Sequence, residues 1–168
     1  SSTPAACRTS IKDCLKVIMN QDEEAAQKFI ADFKEKFSSL PIEDISFPRG
    51  CNGINKWSHP ATIYSKGTPI HVRGALLYNF YNKKNKLTHK YPLIQDGEKI
   101  KFVYLKTPNK INENVISYLA TFPKEFGLDK QVDYDLQFSK SFLDPIRVIM
   151  DVIGWQPEKV ASLEFLFG

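Results

Sequence analysis

The sequence predicts a mixed α+β fold in which helices dominate: an N-terminal helix hairpin, a small antiparallel β element, and a C-terminal helix followed by a tail. Three patterns predict it: two apolar repeats at helical spacing near the start, an alternating segment behind a turn signal in the middle, and a third helical repeat near the end. A length of 168 residues with 42% hydrophobic side chains fits one domain with a hydrophobic core. We expect that domain over residues 1–155, with residues 156–168 as a linker and tail.

The N-terminal hairpin is predicted from capping signals and apolar spacing. Thr3 and Pro4 are typical of an N-cap and a first helical residue. The apolar face of the first helix consists of Cys7, Ile11, Cys14 and Ile18, with Leu15 beside them. A second helix begins with acidic residues at 22–24, which suit the positive end of its dipole. Its apolar face is Ala26, Phe29, Ile30, Phe33, Phe37 and Leu40, and the short connection between the helices favours an antiparallel pair.

The middle of the chain is predicted to alternate between loop, helix and strand. Residues 42–47 fit a short strand, and residues 48–68, rich in Gly, Pro, Asn and Ser, predict a loop with little regular structure. Thr68-Pro69 repeats the helix-start signal, and we expect a helix from there to about Asn82. Residues 95–98 (Gln-Asp-Gly-Glu) are typical of a hairpin turn, and residues 99–105 alternate as a strand does.

The C-terminal third is predicted to contain one more strand and one more helix. Residues 115–120 fit the strand, whereas residues 134–139 fit either type of element. Phe142, Ile146, Ile149 and Ile153 repeat at helical spacing, with Pro145 near the start of that helix and Gly154 near its end.

Composition excludes several classes of protein. The apolar runs are too short to span a membrane, and the chain does not open on a secretory signal pattern. Three cysteines without CxxC spacing argue against a disulfide framework and a zinc site, so a reducing, cytosolic compartment is expected. We expect Cys7 and Cys14 to be buried as small apolar residues.

Positive charge is concentrated in the middle of the chain. Residues 49–110 hold twelve lysines and arginines against two acidic residues, a net charge of +10, whereas the remainder carries −6. All three histidines also lie in this segment. Charge so one-sided is typical of a protein that binds a polyanion, although a solvated lysine-rich surface is the alternative.

Known catalytic motifs are not found in the sequence. It has no GxxxxGK[ST], HExxH or GxSxG motif, and its histidines lack the spacing of metal ligands. Asp133 and Asp135 form one suggestive carboxylate pair, which on a strand would share a face and could chelate a metal for phosphoryl transfer. A structural role for this pair is favoured, because a third acidic ligand is not evident nearby.

The segment around residues 66–79 combines several features of a phosphate-binding site. A glycine precedes a helix N-terminus, whose unpaired N–H groups attract anions, and basic side chains surround it. Such contacts hold a nucleic-acid backbone without reading its sequence. The predicted DNA-binding residues are Lys66, Gly67, Thr68, His71, Arg73, Tyr78, Lys83 and Lys84.

The end of the chain is predicted to be a docking peptide. Leu163, Phe165, Leu166 and Phe167 follow a proline-containing linker, and leaving such side chains in water forgoes about 1.5–3 kcal/mol each. Short apolar anchors of this kind enter pockets on partner proteins. On composition alone, folding back onto this domain is equally consistent with the pattern.

These segments resemble the C-terminal thumb domain of T-even-like bacteriophage DNA polymerases of family B. The resemblance rests on Ser1-Ser2-Thr3-Pro4, on Pro69-Ile70-His71-Val72-Arg73-Gly74 with Tyr78, and on Ala161-Ser162-Leu163-Glu164-Phe165-Leu166-Phe167-Gly168. It extends over nearly the whole chain but is weaker between Asn82 and Asp135. His71 and Arg73 match the family motif, whereas Lys66, Tyr78, Lys83 and Lys84 are chosen from charge and ring chemistry.

The resemblance implies a function and a set of partners. A thumb (residues 1–155) grips the primer–template duplex through its backbone across the minor groove, and the C-terminal peptide binds the sliding clamp. The catalytic carboxylates, and the Mg²⁺ they hold, belong to a palm domain that this chain lacks, as it lacks the fingers and exonuclease domains. The chain is therefore expected to contribute no catalytic residue or cofactor, and to act, virus-encoded, in the cytoplasm of an infected bacterium.

Two questions stay open at the level of sequence. The chain is either a piece of a longer polymerase or one subunit of a split polymerase. A stand-alone DNA-binding accessory protein is the alternative function, and a nuclease that uses Asp133 and Asp135 is a third.

Overall fold

Residues 2–159 are described by the structure, a computed structural model that combines a helical layer with a small sheet. Its α-helices are α1 Ala5–Asn20, α2 Glu23–Phe37, α3 Ile42–Ile45, α4 Ile54–Trp57, α5 Ile70–Lys84, α6 Tyr134–Phe138 and α7 Asp144–Val152. Its strands are β1 Phe47–Gly50, β2 Ser58–His59, β3 Ile63–Tyr64, β4 Lys99–Tyr104 and β5 Val115–Tyr118. Short 3-10 helices cover Lys124–Phe126 and Asp129–Gln131. The predicted α+β class is therefore confirmed.

The predicted N-terminal hairpin is present as α1 and α2. Pro4, not Thr3, occupies the cap position of α1, one residue later than predicted. The side chain of Asp22 caps α2 by accepting a hydrogen bond from Ala25 N at 2.9 Å. The cysteines predicted to be buried, Cys7 and Cys14, are both fully buried, and their thiols are free.

Aromatic contacts fix α2 against the C-terminal helices. The ring of Phe33 lies 4.7 Å from that of Phe142 and 5.9 Å from that of Phe138, and Phe37 lies 6.1 Å from Tyr134. Residues near the end of α2 contact residues near the start of the C-terminal helical run. The two therefore run antiparallel. Edge-to-face pairs such as Phe33–Phe142 each add roughly 0.5–1.5 kcal/mol beyond burial.

A π-helical turn over Ser139–Leu143 joins α6 and α7 into one helical run. This wider turn accommodates Pro145, which has no N–H for the ladder. The buried stripe of this run consists of Phe138, Phe142, Ile146 and Met150. The predicted positions Ile149 and Ile153 are consequently wrong as core residues, being 37% and 47% exposed. Gly154, at a positive φ of 74°, ends the run as predicted, because Trp155 N then donates to Met150 O at 2.9 Å.

The sheet pairs strands that lie far apart in the chain. Its order is β1-β4-β5, antiparallel throughout, with Phe47 opposite Phe102 and Val103 opposite Ile116. The strand predictions for β4 and β5 are confirmed. The hairpin predicted at residues 95–98 is wrong, because this turn carries the chain into β4 alongside β1: Gly97 N donates to Cys51 O at 2.7 Å.

Two other predictions for residues 42–68 need correction. Residues 42–45 form one helical turn rather than a strand, and β1 starts only at Phe47. The predicted loop 48–68 contains most of β1, the short helix α4 and the two-residue pair β2–β3. None of the helices within residues 2–159 combines the length and apolar character needed to cross a membrane.

Candidate nucleic-acid interface

Helix α5 organises the predicted nucleic-acid site, and the turn before it presents Lys66 and Gly67 to solvent. Gly67 has a φ of +86°, a conformation that suits glycine. Thr68 closes the turn, since both its N–H and its hydroxyl donate to Ser65 O. Helix α5 then starts at Ile70 with Pro69 in the cap position, where no side chain hydrogen-bonds the first turn. The first-turn N–H groups of a helix lack intrahelical partners, which makes this end suitable for an anion.

Close backbone approach fixes α5 on the sheet. A Cβ on Gly74 would lie 2.8 Å from Ser117 N and closer still to Ser117 Oγ. That hydroxyl donates to His71 O at 2.8 Å. The Gly in His71-Val72-Arg73-Gly74 therefore has a packing role: it lets the first turns of α5 lie directly on β5.

Arg73 is held by its neighbours within the domain. Its guanidinium donates to Glu113 Oε1 at 3.0 Å and to Asn114 Oδ1 at 2.8 Å, and it lies over the ring of Tyr64. The Tyr64 hydroxyl donates to the same Glu113 carboxylate at 2.8 Å. Burial and this carboxylate raise the pKa of Tyr64. Arg73 thus links α5 to β3 and to the start of β5, and Glu113 neutralises part of its charge.

His71 is half-buried at the same end of α5. Its ring lies 6.3 Å from the ring of Phe102. Burial and the positive charge of Arg49 lower its pKa, against a smaller opposing contribution from a hydrogen bond with the Gly50 backbone. His71 therefore offers a neutral ring near pH 7 rather than a positive charge.

Acidification is expected to destabilise the domain through His71. Because its pKa is lower in the folded chain than in the unfolded chain, the unfolded chain binds the proton more readily, and stability falls as the pH drops below about 6.5. Urea unfolding at about pH 7.5 and about pH 5.5 should show a larger loss of stability for wild type than for His71→Gln. Equal losses in the two proteins would contradict this assignment.

Tyr78 does not lie on the predicted surface. It is 1% exposed, its hydroxyl donates to Pro92 O at 2.8 Å, and its ring packs 5.8 Å from that of Phe126. Burial raises its pKa to about 12. The prediction of a DNA contact for Tyr78 is wrong, because the apolar body of the ring fills the core and its hydroxyl is already paired.

The predicted basic residues separate into two groups along α5. Lys66 precedes the helix, whereas Lys83 and Lys84 occupy its last turn. The helix between them is about 20 Å long. All three lysines are exposed, and Lys84 lies 5.7 Å from the centre of the Tyr81 ring.

Acidic residues outside the basic segment reduce its net charge. Glu113 pairs with Arg73, and Glu125 pairs with Lys90 at 2.7 Å. Lys90 and the hydroxyl of Tyr91 lower the pKa of Glu125 to about 2. Both glutamates follow residue 110 in the sequence, so a count confined to residues 49–110 misses them. The sequence alone did not identify Glu113 as a neighbour of Arg73. The fold brings it beside α5.

The carboxylate pair Asp133 and Asp135 lies at a helix start, not on a strand. Asp133 caps α6 by accepting a hydrogen bond from Leu136 N at 3.0 Å, and Asp135 is exposed in the first helical turn. This is the structural role that the sequence favoured. Across residues 2–159, no three His, Cys, Asp or Glu side chains gather as a metal site would require.

The predicted docking residues Leu163, Phe165, Leu166 and Phe167 lie outside the described residues. The part of the linker that is described runs back to α2. Gln156 N donates to Glu23 Oε2 at 2.8 Å, and Gln27 Nε2 donates to Gln156 O at 2.9 Å.

Comparison with known proteins supports the resemblance seen in the motifs. The chain is 28% identical, in an alignment of 172 positions, to the DNA-directed DNA polymerase of Enterobacteria phage T4, covering 100% of this chain and 19% of that enzyme. It is 27% identical to the DNA-directed DNA polymerase of Escherichia phage RB69, covering 99% of this chain and 18% of the enzyme. The chain thus spans less than a fifth of the length of these relatives. No protein-family model matches it.

The fold has a counterpart in an archaeal enzyme. The family B DNA polymerase from the hyperthermophilic archaeon Pyrobaculum calidifontis contains it with a TM-score of 0.58, covering 92% of this chain and 18% of the enzyme. At 16% identity, this likeness concerns the fold alone. In sequence this chain is similar from end to end to one segment of phage DNA polymerases, and in fold to one segment of a family B DNA polymerase, as the motif resemblance predicted.

Proposed function

We propose that this chain is the thumb portion of a DNA-directed DNA polymerase, which grips primer–template duplex during phage DNA replication in the infected bacterium. The observation that carries the proposal is the similarity over the whole chain to one segment of two phage polymerases. In this proposal the palm, fingers and exonuclease domains belong to the remaining four fifths of the enzyme. The chemical step and its Mg²⁺ would belong there as well.

The arrangement of α5 suits binding to a duplex backbone. The exposed Lys66 and the conformation of Gly67 provide charge and close access at the start of the helix, and Lys83 and Lys84 provide charge at its end. The helix length of about 20 Å matches roughly six base pairs at 3.4 Å per step. Both ends could therefore contact phosphates of one duplex, which positions the protein without reading base sequence.

Neutralising these lysines is expected to weaken duplex binding and its dependence on salt. Every lysine that pairs with a phosphate contributes about 0.9 to the slope of log K against log salt, so Lys66→Gln/Lys83→Gln/Lys84→Gln should reduce the slope by up to about 2.7. A fluorescence anisotropy titration with a labelled duplex at several salt concentrations measures both effects.

The matched control removes the same charge from the helix hairpin. Lys12, Lys16 and Lys36 are all exposed on α1 and α2, and their triple change to Gln leaves α5 intact. This control should keep the wild-type salt slope. Equal losses in the two triple variants would show that only net charge matters and would contradict an interface along α5.

We propose further that residues 161–168 bind the sliding clamp. Support comes from the match of this segment to the family's C-terminal motif and from three large apolar side chains spaced within three residues, Phe165 to Phe167. A docked peptide would keep the polymerase on its template, so this end of the chain would contribute to processivity.

A stand-alone DNA-binding accessory protein is the alternative function. It shares the basic surface along α5 but needs no partner that carries catalytic residues. Duplex binding alone does not distinguish the two functions, whereas restoration of primer extension does.

A further inference from the structure

A groove lies between α2 and α6, and the last described residue, Lys159, is part of its lining. Its volume is about 770 Å³, its floor reaches the buried side chains of Ile30 and Phe138, and Pro157 and Lys159 are among the other lining residues. Small side chains on α2, Ala25 and Ala31, leave this space open. A second cavity of about 340 Å³ shares Ala31, Lys34 and Phe138 with the first and extends it to the end of α2.

The chain is fixed where it enters the groove. Besides the two hydrogen bonds between Gln156 and α2, Lys159 Nζ lies 3.4 Å from Glu24 Oε1, and Pro157 is buried. These contacts direct the chain towards α2 and away from the outer face of α7. Lys159, the last described residue, lines the groove, and nine residues, 160–168, follow it in the sequence.

We propose that residues 160–168 bind this groove in the same chain whenever no partner holds them. Nine extended residues span about 30 Å, and the two cavities extend from Asp22 to Ser38, about 24 Å along α2, so the segment is long enough to fill them. The occupant is apolar, and the walls of the groove, which include Ala25, Ala31 and the alkyl chain of Lys34, offer a partly apolar surface that docking removes from water.

The charges agree with one direction of binding. Glu164 lies five residues beyond Lys159, about 16 Å in an extended chain. Lys34 lies ten residues beyond Glu24, the ion-pair partner of Lys159, or about 15 Å along the helix. A segment that runs parallel to α2 therefore brings Glu164 to Lys34, where the two cavities join. Leu163, Phe165 and Phe167, which share a face in an extended peptide, then point to one side, towards the floor.

This groove makes the domain a competitor for its own docking peptide. The intramolecular contact rests only on residues of this chain, whereas its consequence for partner binding rests on the proposed function. A partner that binds residues 161–168 must first remove them from the groove. The partner's apparent affinity is therefore the intrinsic affinity multiplied by the fraction of chains in which the groove is empty.

A peptide-binding assay tests the proposal without any partner. The probe is a fluorescent peptide of residues 160–168, and the protein is the full chain with Leu163→Ser/Phe165→Ser/Phe167→Ser, which leaves the groove empty. The peptide should bind this variant at least about tenfold more tightly than wild type, whose own segment competes at the high effective concentration that a short linker gives. Equal affinity for the two proteins, or no binding to either, would overturn the proposal.

A blocking substitution locates the site. Ala31 is exposed on α2 where the two cavities meet, so Ala31→Arg fills the groove without disturbing the core. Added to the triple serine variant, it should weaken peptide binding at least about tenfold. The matched control Ala5→Arg changes an exposed helical alanine that does not line the groove, and it should have no effect. Equal effects of the two arginine substitutions would place the peptide elsewhere and contradict the proposal. Since the assay contains no clamp, failure of clamp docking would leave its outcome unchanged.

Discussion

Replacing Gly74 with alanine is expected to destabilise the domain by about 2–3 kcal/mol, within the usual range for overpacked cores. Alanine ordinarily stabilises a helix by about 1 kcal/mol relative to glycine. A net loss of stability therefore requires a packing cost larger than this gain. The new Cβ would meet Ser117 N at 2.8 Å, and this backbone atom of β5 cannot rotate away. Helix α5 must then shift off the sheet, which breaks the hydrogen bond from Ser117 Oγ to His71 O. Urea unfolding monitored by Trp fluorescence measures the difference.

Gly50→Ala is the matched control for this prediction. Its added Cβ would have Asn52 Nδ2 at 3.8 Å as nearest neighbour, and Gly50 does not have a positive φ. We expect a change of less than about 1 kcal/mol in either direction. Combining Gly74→Ala with Ser117→Gly should recover only part of the loss, because the backbone N remains in place. A Gly74→Ala protein as stable as wild type would contradict the close packing of α5 on β5.

Removal of residues 161–168 is expected to abolish capture of the chain by the cognate sliding clamp. Buried aromatic anchors at interfaces typically contribute about 2 kcal/mol or more each, roughly a 30-fold change in affinity. Phe165→Ala and Phe167→Ala should therefore each weaken binding by about that factor, and the truncation should reduce it below detection. A pull-down with immobilised clamp, followed by titration of the single variants, measures this.

The control for the docking prediction lies within the same peptide. Ser162→Ala removes a small polar side chain and should leave clamp binding unchanged. Duplex binding by the truncated chain should also match that of the full chain, because α5 is untouched. Capture of the truncated chain at full strength would show that the clamp binds another surface and would contradict the docking proposal.

Elements with local signals could be predicted from the sequence. The apolar spacing of Cys7, Cys14 and Ile18 and the acidic cap at Asp22 define α1 and α2 without reference to the rest of the chain. The alternation from Lys99 to Tyr104 likewise defines β4. In each case the residues that predict the element lie within one or two helical turns or along one strand.

Features that depend on distant residues could not be predicted. The pairing of β4 with β1 joins residues about fifty positions apart, so the turn at Gly97 suggested a local hairpin instead. Tyr78 has the composition of a DNA contact, but its ring is buried and its hydroxyl donates to Pro92 O. Glu113, which neutralises part of the charge of Arg73, lies forty residues further along the chain. The π turn at Ser139–Leu143 has no signal in a regular helical period, and Met150, rather than Ile149, fills the core of α7.

Primer extension by a reconstituted polymerase tests the central claim most directly. The polypeptide that carries the palm, fingers and exonuclease domains is assayed on a labelled primer–template with increasing amounts of this chain. The account predicts that extension increases with added chain and saturates near one chain per polymerase, and that Lys66→Gln/Lys83→Gln/Lys84→Gln restores it less well. Extension that is indifferent to the chain, although the chain binds the same duplex, would contradict the thumb assignment and favour a stand-alone DNA-binding protein.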